Sequence, residues 1–299
     1  MLDSGEMDRP ETAHAPTLLA VFAHPDDESY LCGGTLARYA AAGARVVLLC
    51  ATRGEAGEIA APDLAAAHTL PAVREAELRA AAAALGVAAV HLLDYRDGAL
   101  MDVPFLEGVE RVAALIAAGQ PTVVLTFGPE GVYGHPDHVA VHRWTKEAFL
   151  YGAPAPQGDG REPPGRVTAP PPIAPTAARL YYCAPPRSWY RAIAERCRAR
   201  GVHDRYGPRA DVLGVPDELV TTRLDVASYA AQRLAAIRAH ATQLPANHPY
   251  RTLPAPDILD LFSTEWFTRV WPRPPIGAPL ETNLFDGEAL SGIFSLDRD

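Results

Sequence analysis

Apolar runs of strand length alternate with Ala- and Leu-rich segments of helix length through the first half of the chain, and that alternation restricts the fold more than any other feature. The runs fall at 17–22, 46–51, 90–93 and 122–127, and the longer segments at 30–42, 73–85 and 105–118. Gly43, Gly86 and Gly119 stand where the helical segments should end, able to adopt the left-handed conformation that closes a helix. A strand, a helix and a second strand joined in this way make a right-handed crossover between parallel strands. Repetition of the unit predicts an α/β protein: a Rossmann-like, mostly parallel sheet flanked by helices. Later segments extend it, with strands expected at 178–183 and 220–224 and helices at 187–200 and 226–241.

With 299 residues and 48% apolar side chains the chain can bury one substantial core. No internal repeat and no second independent core is discernible, so a single domain is expected over 16–299, behind a polar segment, 1–15, expected to be disordered. Eight prolines between Pro154 and Pro175 mark 154–176 as a Pro-rich surface loop. The tail from Pro245 onward is also rich in proline and is expected to be an extension ordered by docking on the domain. A net charge of −9 and the lack of a basic stripe with interleaved aromatics argue against a nucleic-acid partner. Four cysteines with no CxxC pair imply neither a cysteine metal site nor a disulfide framework, which fits a reducing cytoplasm. No stretch reaches the roughly 18 apolar residues that span a bilayer, so no membrane is expected. A homo-oligomer is left open.

Polar chemistry concentrates behind two of the apolar runs. Ala23-His24-Pro25-Asp26-Asp27-Glu28 follows the first, and His135-Pro136-Asp137-His138, with His142 beyond it, follows the run at 122–127. An imidazole and several carboxylates within one turn of chain repel or desolvate one another unless a cation shares the site. Open parallel sheets hold ligands outside the carboxyl ends of their strands, so two blocks distant in sequence can meet there. His24 and Asp27 face one point if a helix begins at that turn. His138 and His142 share a helix face by spacing, as in HExxH, but taking both gives a closed four-ligand site and leaves Asp26 and His135 without roles. The leaner assignment makes His24, Asp27 and His138 the ligands of one catalytic Zn2+ with a fourth position for water. Asp26 is then the base, and His135 a donor near the substrate's oxygen or leaving nitrogen.

These blocks, together with the segment Thr52-Arg53-Gly54-Glu55-Ala56-Gly57-Glu58, the turn Arg96-Asp97-Gly98 and the stretch FGPEGVYGHPDHVAVH, resemble the PIG-L, or LmbE-like, zinc de-N-acetylases. The resemblance is densest over 17–142 and fainter at Arg238-Ala239-His240-Ala241-Thr242-Gln243 and Glu281-Thr282-Asn283-Leu284-Phe285. It implies zinc on His24, Asp27 and His138, and a general base at Asp26. It also implies that His135 stabilises the tetrahedral intermediate or protonates the departing amine, that Tyr133 donates to the carbonyl oxygen, and that Arg74 and Asp97 contact sugar hydroxyls. The implied substrate is a small molecule bearing N-acetylglucosamine, of GlcNAc-inositol or GlcNAc-malate type, as in bacterial low-molecular-weight thiol biosynthesis. An amidase acting on thiol conjugates of the same sugar, and a zinc-dependent sugar-binding module without turnover, stay open as alternatives. Fe2+ or another divalent ion suits the same donors.

Neighbouring residues have plainer readings. Asp137 is expected to orient a ligand histidine or cap a helix, Glu28 to act as a structural acceptor, and His142 to pack or support. His240, near a helix end, is expected to interact with the helix dipole. Gly33-Gly34 and the Gly54/Gly57 pair lack the spacing of a phosphate loop.

Overall fold

In the computed structural model, which describes residues 15–152 and 178–285, β1 (Thr17–Phe22) is buried along its whole length. A parallel strand covered on both faces has no solvent side, which is why it reads as a continuous apolar run rather than an alternating one. β1 pairs in parallel with β2 (Arg45–Thr52) on one side and β4 (Val123–Phe127) on the other. β3 (Ala89–Tyr95) continues beyond β2, and β5 (Arg179–Cys183) beyond β4. β6 (Thr222–Asp225) and β7 (Thr264–Trp271) complete a seven-stranded sheet of order β3-β2-β1-β4-β5-β7-β6. The segment 1–15, except for Ala15, and the whole proline-rich loop at 154–176 lie outside the described residues.

The chain steps from β1 to β2 to β3 toward one edge, then returns to β4 on the far side of β1. Right-handed crossovers therefore place α1 (Asp27–Ala41) and α2 (Leu70–Ala84) on one face, and α3 (Phe105–Gly119) on the other. After a single turn, α4 (Gly131–Gly134), the long α5 (Pro136–Gly152) packs beside α3. α6 (Arg187–Arg200) follows β5, and α7 (Ala230–Ala239) packs on α1 and α2. Because the direction of winding reverses between β1 and β4, their carboxyl ends splay apart and leave a crevice. Both His/Asp blocks emerge there.

The tail is more deeply built in than its composition suggests. Its segment Thr264–Trp271 attaches to the domain as a strand of the sheet, antiparallel to both β5 and β6. Glu265 and Phe267 point inward, and the alternation that identifies a strand was obscured by prolines on either side. Glu265 has a specific task. α1 is kinked at Cys32 (φ −150°), which frees the N–H groups of Gly34 and Thr35 from the helix ladder. These donate to the Glu265 carboxylate at 2.9 and 2.7 Å, and Arg233 of α7 lies 3.2 Å from it. A Cβ on Gly34 would sit 2.8 Å from Val226 Cγ2, so only glycine permits the approach.

Three smaller departures have local causes. A second apolar cluster, absent from the sequence reading, joins α6, α7, α8 (Pro249–Thr252) and α9 (Ala255–Leu261) through Trp189, Ile193, Leu234, Ile237, Tyr250 and Phe262. It shares α7 with the main core, where Ala236 belongs, and so is a satellite rather than a second domain. α3 runs through Gly119 and is closed by Gln120 in the left-handed region. The helix expected from 226 begins as a tight turn at Ala227–Tyr229 and becomes α-helical only at Ala230. No helix among the described residues is long and apolar enough to cross a membrane.

Candidate active site

β1 ends at Phe22, and the next residues turn sharply into α1. Asp26 occupies the N-cap position with φ 123°, yet its side chain makes no capping hydrogen bond, so the carboxylate remains available. Asp27 opens the helix and accepts the His24 N–H through Oδ2 at 2.8 Å. Across the crevice β4 ends at Phe127, the chain turns through Gly131 (φ 59°), Val132 (φ 66°) and Gly134 (φ 86°), and Pro136 starts α5. Proline suits a first helical position because its missing N–H would have no partner there. His138 thus lies in the first turn of α5, with its ring stacked on Phe127 at 4.1 Å between centroids.

The structure brings His24, Asp27 and His138 together although 114 residues separate the two histidines. His24 Nδ1 lies 3.2 Å from His138 Nε2 and 3.5 Å from Asp27 Oδ2, and His138 Nε2 lies 3.3 Å from Asp27 Oδ1. A tetrahedral ion with bonds of about 2.0–2.2 Å needs donors roughly 3.3–3.5 Å apart, so the spacing fits a divalent metal. The other ring nitrogens are tied back, as metal-ligating histidines require. His138 Nδ1 meets the Gly131 carbonyl at 3.2 Å. His24 Nε2 meets Asp97 Oδ1 at 3.0 Å and Asp137 Oδ2 at 3.3 Å.

The electrostatics also call for a cation. Burial lowers the basicity of His24, but hydrogen bonds from its ring to the carboxylates of Asp137, Asp27 and Asp97 hold its imidazole well above the ordinary value. Burial disfavours the charge on Asp27, yet His138 and His24 hold its carboxyl well below the usual range. Carboxylates gathered in this way favour a positive charge at the cluster, which a divalent ion supplies. Candidate ligand atoms of His24, His135 and His138, and likewise of His24, Asp97 and Asp137, fall within 4.8 Å of one another. In the second group both carboxylates approach His24 Nε2, which fits orientation of that ring better than a second metal site.

Asp26 lies beside the cluster. Burial pushes its carboxyl up to about 6, with the Arg74 guanidinium, 3.4 Å away, pulling in the opposite direction. His135 stacks on His138 at 4.7 Å, and its Nδ1 accepts the Asp137 N–H at 3.2 Å, which leaves the ring proton on Nε2. Burial, then the charges on His24 and His138, hold His135 below its ordinary value. Tyr133 is half-exposed, with its ring 5.5 Å from that of His138. Burial and the nearby Asp27 charge push its phenol up to about 12, so it remains a donor at neutral pH. His142 stays outside the cluster, its Nδ1 held 2.9 Å from the Phe127 carbonyl.

Arg74 and Asp97, assigned to sugar hydroxyls through the resemblance, are both buried and engaged with the protein. Arg74 donates to the carbonyls of Gly54 and Pro25. Gly54 has φ 69°, and a Cβ there would lie 2.3 Å from the guanidinium. Asp97 accepts the Ala56 N–H at 2.9 Å, and its own N–H is held by Glu55, so the segment following β2 serves to seat it. Asp137 accepts from the N–H groups of Gly98 and Leu100 as well as meeting His24. Spacing did not reveal that two carboxylates share one ring nitrogen, because Asp97 reaches the site from the far end of β3.

A cleft of about 400 Å³ opens from Asp26, Asp27, Tyr133 and His138 and runs along the satellite cluster past Tyr30, Tyr206, His248 and Gln243. Arg205 and Arg209 also line it. Sequence reasoning missed this wall, apart from the motif that carries Gln243. A separate surface depression between α6 and α9 is lined by Arg196, Arg200, Asp257 and Asp260, already paired with one another, and holds none of the site residues.

The GlcNAc-PI de-N-acetylase (PIG-L) family matches residues 19–149. A protein of Geodermatophilus obscurus named 1D-myo-inositol 2-acetamido-2-deoxy-alpha-D-glucopyranoside deacetylase is 36% identical over 296 residues, covering 90% of this chain and 97% of that protein. A protein of the same name from Streptomyces avermitilis is also 36% identical, over 299 residues, covering 91% and 97%. Among solved structures, N,N'-diacetylchitobiose deacetylase from Pyrococcus horikoshii shares the fold with a TM-score of 0.59 at 20% identity, over 86% of this chain and 84% of that one. The chain belongs to the GlcNAc-PI de-N-acetylase (PIG-L) family.

Proposed function

We propose that the chain is a zinc-dependent de-N-acetylase acting on a small, water-soluble conjugate of N-acetylglucosamine. The observation that carries this reading is the trio His24, Asp27 and His138 at tetrahedral spacing, with an uncapped Asp26 beside it at the mouth of a cleft. Full-length relatives named for removing acetyl from a GlcNAc-inositol support it. When bound, zinc polarises an amide carbonyl and acidifies a water molecule.

The chain's own residues account for the remaining steps. Asp26, raised to about 6, is ionised at neutral pH yet basic enough to take a proton from the attacking water. The Tyr133 hydroxyl donates to the carbonyl oxygen as negative charge develops on it. His135, carrying its proton on Nε2, donates a hydrogen bond to the tetrahedral intermediate, and the proton that Asp26 took from the water passes to the departing amine. Asp97 and Asp137 hold the His24 ring, while Arg74 braces the Pro25–Asp26 turn. GlcNAc-inositol and GlcNAc-malate are the substrates we place first, in the cytoplasm.

Amine release, followed with fluorescamine over a panel of N-acetylglucosaminides, tests the reading. Activity that is lost on chelation and restored by zinc is expected. No metal-dependent release from any member of the panel would refute it, and cleavage confined to thiol conjugates would make the chain an amidase instead.

A further inference from the structure

Asp26 has φ 123° and ψ −29°, a conformation that non-glycine residues rarely adopt and that surrounding structure must enforce. The enforcing contact is its own N–H, which donates to Glu28 Oε2 at 3.0 Å. Glu28 is fully buried and is held in turn through Oε1, by Ser29 Oγ at 2.5 Å and by His240 Nε2 at 2.8 Å. His240 arrives from the end of α7, 212 residues away, in a motif of the sequence reading that the reaction does not use. It is fully buried, and its Nδ1 has no hydrogen-bond partner among the described residues. An apolar side chain would fill that space without leaving a polar atom unsatisfied. The expected role at the helix dipole does not explain why the ring is aimed at Glu28.

We propose that His240 is a positioning residue for the reaction: through Glu28 it fixes the backbone of Asp26, and so the direction in which the base faces. The inference rests on the deacetylase reading above. Arg74 braces the turn from one side by holding the Pro25 carbonyl, and the Glu28–His240 pair braces it from the other. Without the Nε2–H donor, the buried Glu28 carboxylate loses one of its partners and turns toward another. The Asp26 N–H then has no acceptor, its backbone relaxes to negative φ, and the carboxylate swings away from the metal. Neither Glu28 nor His240 lines the cleft, so substrate binding is left alone.

The test compares full-length, zinc-loaded wild type with His240→Ala and His240→Gln. In His240→Ala, kcat should fall roughly 10- to 100-fold, as for partners one step removed from a metal centre. KM should stay near the wild-type value, with one zinc retained. His240→Gln, whose amide can donate to Glu28, should recover most of the rate. A crystal structure of His240→Ala should show the Asp26 N–H released from Glu28 and its φ negative. Wild-type kcat in a folded His240→Ala, or His240→Gln as slow as His240→Ala, or an unchanged Asp26 backbone, would each overturn the proposal. Should His240→Ala fail to fold, His240→Asn, too short to reach Glu28, carries the same expectations. Failure of the wild type to deacetylate any conjugate would refute the functional reading alone, and the Asp26 backbone in the variant crystal would then decide the inference.

Discussion

Acidification should loosen the cleft wall through a single histidine. His248 is 4% exposed, its ring centroid lies 4.7 Å from that of Tyr250, and its Nδ1 accepts the Tyr250 N–H as the cap of α8. Burial, with help from the charges on Arg205 and His203, pushes its pKa from 6.5 down to about 3. The folded value lies below the unfolded one, so the unfolded chain takes the proton first. The contribution to stability is therefore complete above 6.5 and is lost progressively as pH falls toward 3. At about pH 4.5 the unfolded histidine is almost fully protonated and the native one is not, which costs about 3 kcal/mol at about 1.4 kcal/mol per pH unit. That is a large share of the roughly 5–15 kcal/mol typical of a domain.

Urea melts followed by circular dichroism at about pH 7.5 and pH 4.5 measure this loss, with His248→Asn as the reference because asparagine caps a helix without titrating. The two proteins share every other titrating group, including those near the metal site. Wild type should lose about 3 kcal/mol more than the variant between the two conditions. Equal losses in the two proteins would refute the assignment of His248 as a buried, neutral cap.

Two further predictions concern the site itself. Tyr133→Phe should keep its zinc and lose roughly 10²- to 10³-fold in kcat, the usual consequence of removing one oxyanion donor, and steady-state kinetics on an N-acetylglucosaminide checks this. Asp97→Asn should weaken zinc binding about 10- to 100-fold, because the His24 ring loses a charged partner; competition with a chelating dye measures the shift.

Much of the fold was legible because parallel strands covered on both faces leave unbroken apolar runs, as in Thr17–Phe22 and Val123–Phe127. The convergence of the two His/Asp blocks was legible for a topological reason: both follow strands that flank the point where the winding reverses. β7 was not, since its inward Glu265 looks polar until the kink at Cys32 is known to present two free N–H groups to it. Spacing could bring His24 toward His138, but it could not show that Asp97 and Asp137 approach the same nitrogen of His24, because those contacts exist only once β3, α5 and β1 are assembled. The cleft wall from Tyr206 to Tyr250 was hidden for the same reason: its side chains are gathered by packing of α6 to α9 and follow no single period.

In the mechanism we propose, Asp26, held beside a metal on His24, Asp27 and His138, performs the proton transfer of acetyl hydrolysis. The most direct measurement is kcat for amine release by zinc-loaded Asp26→Ala and wild type, with zinc content determined on the same samples. One zinc per chain is expected in both, with a loss of about 10²- to 10⁴-fold in the variant. A variant that retains its zinc and turns over at a near-wild-type rate would contradict it.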